Sequence, residues 1–318
     1  MAYAIHDEDF SSAIPDIERK LLERAEISVS RSGIERFFFP SYTKATRIMA
    51  LSHGFTENIT KYYEIINAFL IKGYHVAFIS HRGHGGSALC SSIDSERIHI
   101  RSFSDYIRDF SSYIRFAHCH DTGMPISILA HSMGGCIALR YLETHPESPV
   151  ESAVLSSPML KLLTSPVPEL TCLHVAEMMT RTGKGEEYLA GQGPYRKGSF
   201  AKSGSTSLPR FDFYNTRKEE VKAFQKGGCT NQWTVSAIRA ARKARKESYK
   251  VTKPVLLLYS DNDTYVDTSV YADTIKGMMD GHACLLRGRK HELFSAPYPE
   301  LEEYLSLIFG FLDGGFNG

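Results

Sequence analysis

Ile126-Ser127-Ile128-Leu129-Ala130-His131-Ser132-Met133-Gly134-Gly135 is the stretch that decides the fold. An apolar run stops abruptly at a serine set between small residues. This pattern reads as a buried strand, a sharp turn and a helix start, with Ser132 held out at the apex as a nucleophile elbow. Small residues two before and two after the serine let the strand and helix backbones approach while the turn strains the serine's φ/ψ. Ala130 stands where the usual pattern has its first glycine, and a single methyl is the least change that keeps the packing. The run Cys136-Ile137-Ala138-Leu139-Arg140-Tyr141-Leu142 continues as a helix. Ser132 therefore belongs to a strand-turn-helix unit and not to an isolated loop.

The same alternation extends on both sides of the elbow. Upstream, a helix is expected around Asp16 to Arg24. A hairpin of edge strands follows, Ile27–Ser30 and Arg36–Phe39, about Ser32-Gly33. Next come a short buried strand Ile48–Ser52, a helix Tyr62–Ile71 stopped by Gly73, a strand Tyr74–Ser80 and a helix from Phe103 to His118. Downstream, strand Ser152–Ser156 is followed by Ser157-Pro158, where the pattern breaks. It resumes at Pro254–Tyr259, with a helix near Ser269–Met279, a strand Ala283–Leu286 and a last helix Pro299–Leu312. Repeated strand-helix-strand units predict an α/β fold with a mostly parallel, doubly wound sheet. On this division residues 1–158 and 254–318 form the core, and 159–253 form a cap inserted between two strands.

Composition bounds the function classes. The 318 residues are 42% hydrophobic and 23% charged, ordinary values for a globular chain with a sizeable core. A net charge of +1 gives no case for nucleic acid as a partner. No run approaches the length of a bilayer span, and the start Met1–Asp9 is acidic where a signal peptide would be basic and then apolar. A cytoplasmic location is the expectation. Cys90, Cys119, Cys136, Cys172, Cys229 and Cys284 are widely spaced with no Cys-x-x-Cys pair, so free thiols are expected, without a zinc site or disulfide framework. The near-neutral total hides a division: residues 159–253 hold 18 Lys and Arg against 8 Asp and Glu, leaving 19 against 28 elsewhere. Much of the excess lies in Arg239–Lys246. That run reads either as a solvated helix face or as a surface for peripheral contact with an anionic membrane.

A serine hydroxyl needs an imidazole to take its proton and a buried carboxylate to orient that imidazole. The order Ser, Asp, His along the chain is available. Asp261, Asp263 and Asp267 follow the strand ending at Tyr259, and His291 lies in a loop before the final helix. Asp263, five residues past Leu258, is the preferred acid, with Asp261 and Asp267 left as alternatives that would otherwise cap a turn or a helix. His53, His131, His81 and His84 read as structural hydrogen-bonding residues around the pocket. The backbone N–H groups of Met133, at a helix N-terminus, and Phe55, after the bend at Gly54, are the expected oxyanion donors. No metal-ligand set and no Gly-x-Gly-x-x-Gly after a strand competes, so neither metal nor cofactor is expected.

His53-Gly54-Phe55, His81-Arg82-Gly83-His84-Gly85-Gly86-Ser87, Ala130–Gly135, Asp263 and His291-Glu292-Leu293 together resemble the serial motifs of the monoacylglycerol lipase and bacterial lysophospholipase group of α/β-hydrolases. Ala130 and the Ser-His-Asp spacing resemble the lysophospholipase members in particular. The resemblance spans about Ile48 to Phe311. It implies the α/β-hydrolase fold, a lid-covered apolar acyl tunnel and hydrolysis of single-chain lipid esters through an acyl-Ser132 intermediate. Leu160, Leu162, Leu163, Leu170, Leu173, Val175, Met178 and Met179 are the expected acyl lining. A peptidase or small-molecule esterase with the same triad, or a non-catalytic binding protein, are the rival classes.

Overall fold

The computed structural model describes residues 2–89 and 94–315; Cys90 lies outside them. An eight-stranded sheet runs β1 (Glu26–Val29), β2 (Glu35–Phe39), β4 (Tyr74–Ile79), β3 (Arg47–Ser52), β5 (Ile126–His131), β6 (Val150–Ser156), β7 (Val255–Tyr259), β8 (Gly281–Leu285) in spatial order. The first two strands pair antiparallel and the other six are parallel to one another. From β3 the chain moves outward to β4, then returns across to β5 on the other side. The crevice at such a reversal, beyond the carboxyl ends of the strands, is where open α/β sheets place their sites.

Alternate strand residues face two apolar layers. Ile48 and Ala50 of β3 face the layer of α3 (Phe103–His120), α4 (Met133–Thr144) and α7 (Asn231–Glu247). Met49 and Leu51 face α1 (Asp7–Arg24), α2 (Tyr63–Lys72) and α9 (Tyr298–Leu312). Burial on both faces is why the central strands read as unbroken apolar runs.

Several sequence expectations need adjustment. The first helix begins at Asp7, well before Asp16. Its apolar face, Phe10, Ile14, Ile17 and Leu21, recurs at helical spacing across the internal Pro15, a residue that ordinarily breaks a helix, while Asp7, Glu8 and Asp9 suit the positive end of the helix dipole. Strand β2 is not an edge, because it pairs with β4 as well as β1. The helix expected near Ser269–Met279 is a short turn, Thr268–Val270, followed by α8 (Tyr271–Lys276). Between β6 and β7, neighbours in the sheet, lie α5 (Glu169–Met179), α6 (Leu208–Glu220) and α7. The five described cysteines are free.

The expected acyl lining does not form a pocket wall. Leu160 is in the core, and Leu173 packs with Ala176 of α5 against Val235 and Ile238 of α7. Leu163, Leu170, Val175 and Met178 are exposed. Leu162 bridges to Val266, and Met179 too lies outside the Ser132 cavity wall. Helix α5 turns its apolar face toward α7 and solvent. The basic run Arg239–Lys246 is also away from the cavity, on the outer side of α7, whose Ala237, Ala240, Ala241 and Ala244 pack inward.

Candidate active site

Ser132 joins β5 to α4 with φ 50° and ψ −114°, a left-handed conformation that a non-glycine residue holds only under constraint. The constraint is visible: its N–H donates to the Ser156 carbonyl (3.0 Å) and its carbonyl accepts from the N–H of Met159 (2.8 Å) and Cys136 (3.2 Å). Gly134 allows the close approach of α4 to β3. A Cβ there would lie 2.7 Å from the His53 carbonyl oxygen and nearer still to that of Ser52. Neither obstacle is a flexible side chain, so glycine is required two residues after the serine.

Asp263 and His291 come together from the loops after β7 and β8. His291 Nδ1 and Asp263 Oδ2 are 2.6 Å apart, and the second carboxylate oxygen accepts from the backbone N–H of Tyr265 (2.8 Å) and Val266 (3.0 Å). Burial pushes the Asp263 carboxyl up, but His291 and the two N–H donors outweigh it, leaving the carboxyl below its usual range. Burial pushes the His291 imidazole down more than Asp263 raises it, so the neutral base is the resting form. The alternative acids are engaged elsewhere. Asp261 accepts from Gly288 N–H, and Asp267 caps the Thr268–Val270 turn while pairing with Lys161.

Phe55, Ser132 and His291 line one cavity of about 740 Å³. Met133, the first residue of α4 and the neighbour of Ser132, is fully buried. The loop carrying Phe55 is fixed by histidines. His81 N–H donates to His53 Nε2 (2.9 Å), so the His53 proton is on Nδ1 and is donated to the Gly54 carbonyl (2.7 Å). Thr56 N–H donates likewise to His84 Nε2 (3.1 Å). Burial holds His53 down to about 4 and His81 and His84 well below the usual imidazole range. These are neutral struts, in keeping with the structural reading of the sequence.

A family model described as serine aminopeptidase, S33 (Hydrolase_4) matches residues 43–297. The chain belongs to the serine aminopeptidase S33 family. This S33 chain is 28% identical over 250 residues to the probable lysophospholipase L2 of Haemophilus influenzae, across 78% of this chain and 77% of that relative. It is 23% identical over 290 residues to the monoacylglycerol lipase of Mycolicibacterium smegmatis, across 87% and 94%. A solved soluble variant of the Saccharomyces cerevisiae monoglyceride lipase, in complex with a substrate analog, aligns at a TM-score of 0.72 with 16% identity, over 92% of this chain and 96% of that chain. The S33 chain is thus an α/β-hydrolase of the lysophospholipase and monoacylglycerol lipase group.

Other residues around the S33 site had no signal in the sequence motifs. Glu57 Oε2 accepts from Gly54 N–H (2.6 Å) and Tyr62 O–H (2.6 Å) and lies 3.2 Å from His131 Nδ1. Its Oε1 pairs with Lys61 (2.8 Å), which also reaches Glu292 (2.6 Å), the neighbour of His291. Burial alone would raise the Glu57 carboxyl, yet Lys61 and His131 hold it well down. Only the Glu57/Lys61 spacing of four hinted at a pair. The segment between β6 and β7 contacts the same loops: Tyr214 O–H donates to the Thr56 carbonyl (3.0 Å), Glu292 N–H to that of Gly204 (2.9 Å), and Tyr265 O–H to that of Lys202 (3.0 Å).

Proposed function

We propose that this serine carboxylic-ester hydrolase removes one fatty acyl chain from lysophospholipids or monoacylglycerols through an acyl-Ser132 intermediate. The observation that carries the reading is the placement of Ser132 and the Asp263-bound His291 on the wall of a single cavity. His291 Nε2 takes the hydroxyl proton as Ser132 Oγ attacks the ester carbonyl carbon. The backbone N–H groups of Phe55 and Met133 receive the developing oxyanion. Collapse breaks the acyl carbon–oxygen bond, and His291 gives its proton to the departing glycerol oxygen. Water then attacks the acyl-serine with His291 again as base, releasing the fatty acid and free Ser132.

Residues 159–253 act as the cap in this proposal, with 1–158 and 254–318 as the catalytic core. The family description names an aminopeptidase, but an amine-bearing peptide suits the cavity poorly. Its wall carries seven Lys and Arg side chains against two Glu, which repel an α-ammonium group. A purified-enzyme panel of lysophospholipids, monoacylglycerols and aminoacyl amides tests the assignment. Turnover of the lipid esters with none of the amides is expected, and the reverse preference would overturn it.

Peripheral contact with an anionic bilayer belongs to the same proposal. Arg239, Arg242, Lys243 and Lys246 are exposed on α7, beside the exposed Leu170, Val175 and Met178 of α5. Each basic residue near such a surface contributes roughly 1 kcal/mol. No helix among the described residues is long and apolar enough to cross a membrane. Cosedimentation with phosphatidylserine vesicles is expected to fall as salt rises; binding indifferent to salt and to anionic lipid would remove the surface from the proposal.

A further inference from the structure

The cations of the cavity wall are of three kinds: Arg196 and Lys202 are exposed to solvent, and the other five are either paired or buried without a carboxylate. Lys61 is neutralised by Glu57 and Glu292, Arg210 by Asp7 and Glu64, and Lys197 by Glu219. Lys218 and Lys226 are buried, 8% and 5% exposed, and among the described residues neither has a carboxylate within ion-pair distance. Lys218 Nζ has a long hydrogen bond to the Thr56 carbonyl (3.4 Å) and lies over the rings of Tyr195 (5.2 Å) and Tyr214 (5.3 Å). Lys226 Nζ donates to the Ser95 carbonyl (2.7 Å). The nearby carboxylate of Glu96 is bound by Lys222 and by the Tyr195 N–H.

Lys218, Lys226 and Tyr195 line the same cavity, and Lys218 lies over the Tyr195 ring. Gly227, next to Lys226, lies so near it that a Cβ would be 2.9 Å from the Tyr195 nitrogen. The Tyr195 hydroxyl is itself buried without a hydrogen-bond partner, although buried polar groups ordinarily have one. Two uncompensated ammonium groups and an idle O–H donor on the wall of one cavity form a costly arrangement unless an anion completes it. Burial pushes Lys218 down to about 8 and lowers Lys226, as expected of ammonium groups short of a counter-charge.

We infer that Lys218, Lys226 and the Tyr195 hydroxyl bind the phosphate of a lysophospholipid headgroup, so that the enzyme favours phosphate-bearing glycerol esters over monoacylglycerols. The inference rests on the ester-hydrolase reading above and narrows its substrate class. Lys218 is held by the carbonyl of Thr56, the residue after the proposed oxyanion donor Phe55. A phosphate at Lys218 therefore lies beside the loop that receives the ester.

The test compares decanoyl lysophosphatidate with monodecanoylglycerol, both below their micellar concentrations, as a ratio of kcat/KM values. In Lys218→Met and in Lys226→Met that ratio is expected to fall at least 10-fold, chiefly through KM for the phosphate ester, and Lys→Arg at each position is expected to restore most of it. With the unmodified enzyme, glycerol phosphate is expected to inhibit monodecanoylglycerol hydrolysis competitively, well beyond glycerol or sodium chloride at equal ionic strength. This arm holds even if a variant fails to fold. An unchanged ratio in folded variants, or glycerol phosphate no better than chloride, would overturn the inference while leaving the esterase intact. Inhibition by inorganic phosphate with an unchanged ratio would mean an anion site unconnected with the headgroup and would overturn it equally. Hydrolysis of neither ester would remove the parent reading as well.

Discussion

Replacing Ser132 with alanine is expected to lower kcat on monoacylglycerol and lysophospholipid esters by about 10⁶, the scale seen when a serine-hydrolase nucleophile is removed. What survives is transition-state binding by the oxyanion donors, without a covalent path. Folding should be little affected. The backbone of residue 132 is held through its own N–H and carbonyl, and alanine meets the same φ of 50° at much the same steric cost as serine. Steady-state kinetics beside a thermal melt make the check. A folded S132A enzyme keeping more than about one part in a thousand of its turnover would remove Ser132 from the mechanism.

The second large effect is expected of Asp263→Asn. Asparagine can keep the contact with His291 Nδ1 but, by offering its N–H₂, favours the tautomer with the proton on Nε2, where it cannot accept from Ser132. A loss of about 10⁴ in kcat follows. The pH profile supplies an independent mark. Activity needs neutral His291, so it is present above the imidazole pKa and lost as pH falls through it. Burial places that pKa below the ordinary value of about 6.5, and the acid limb of kcat/KM should therefore lie below pH ~6.5. Without the Asp263 carboxylate, which raises the His291 pKa, the residual activity should show a limb displaced further toward acid. A limb displaced toward neutral pH would contradict the pairing.

Legibility in the sequence followed the range of the interaction concerned. Strand, turn and helix at Ser132 are contiguous, so the apolar run and the small residues around it carried the elbow. His291 was favoured because chain order and its loop position singled it out. Asp263 could be preferred but not separated from Asp261 and Asp267, because all three follow the same strand; the division lies in the groups each carboxylate meets, Gly288 N–H, His291 or the Thr268–Val270 turn. The cavity wall has no comparable local signature. Apart from residues of the loops after β3, β5, β7 and β8, its lining lies between Gly191 and Gly228 in a stretch with little periodicity, whereas the leucine-rich segment before it shows a helical apolar pattern whose packing partner, α7, is some sixty residues distant. The two-sided pairing of β2 is hidden for a related reason: a strand's second neighbour is chosen by topology, and its own residues do not announce it.

Glu57 has a consequence for how such a catalyst can diversify. The loop after β3, the elbow after β5 and, through Lys61, the residue beside His291 after β8 are tied to this one carboxylate. Among the described residues its hydrogen-bond and ion-pair partners are Gly54, Lys61, Tyr62 and His131, none of them in the segment between β6 and β7. That segment reaches the same loop at the Thr56 carbonyl, through Tyr214 O–H and Lys218 Nζ. Side chains of that segment can therefore change without touching the Glu57 carboxylate, whereas Met159 N–H and the Gly204 carbonyl, which bond Ser132 and Glu292 directly, belong to the alignment of the site itself. Exchange of the side chains that line the cavity between Gly191 and Gly228, with Met159 and Gly204 left in place, is the change this wiring permits.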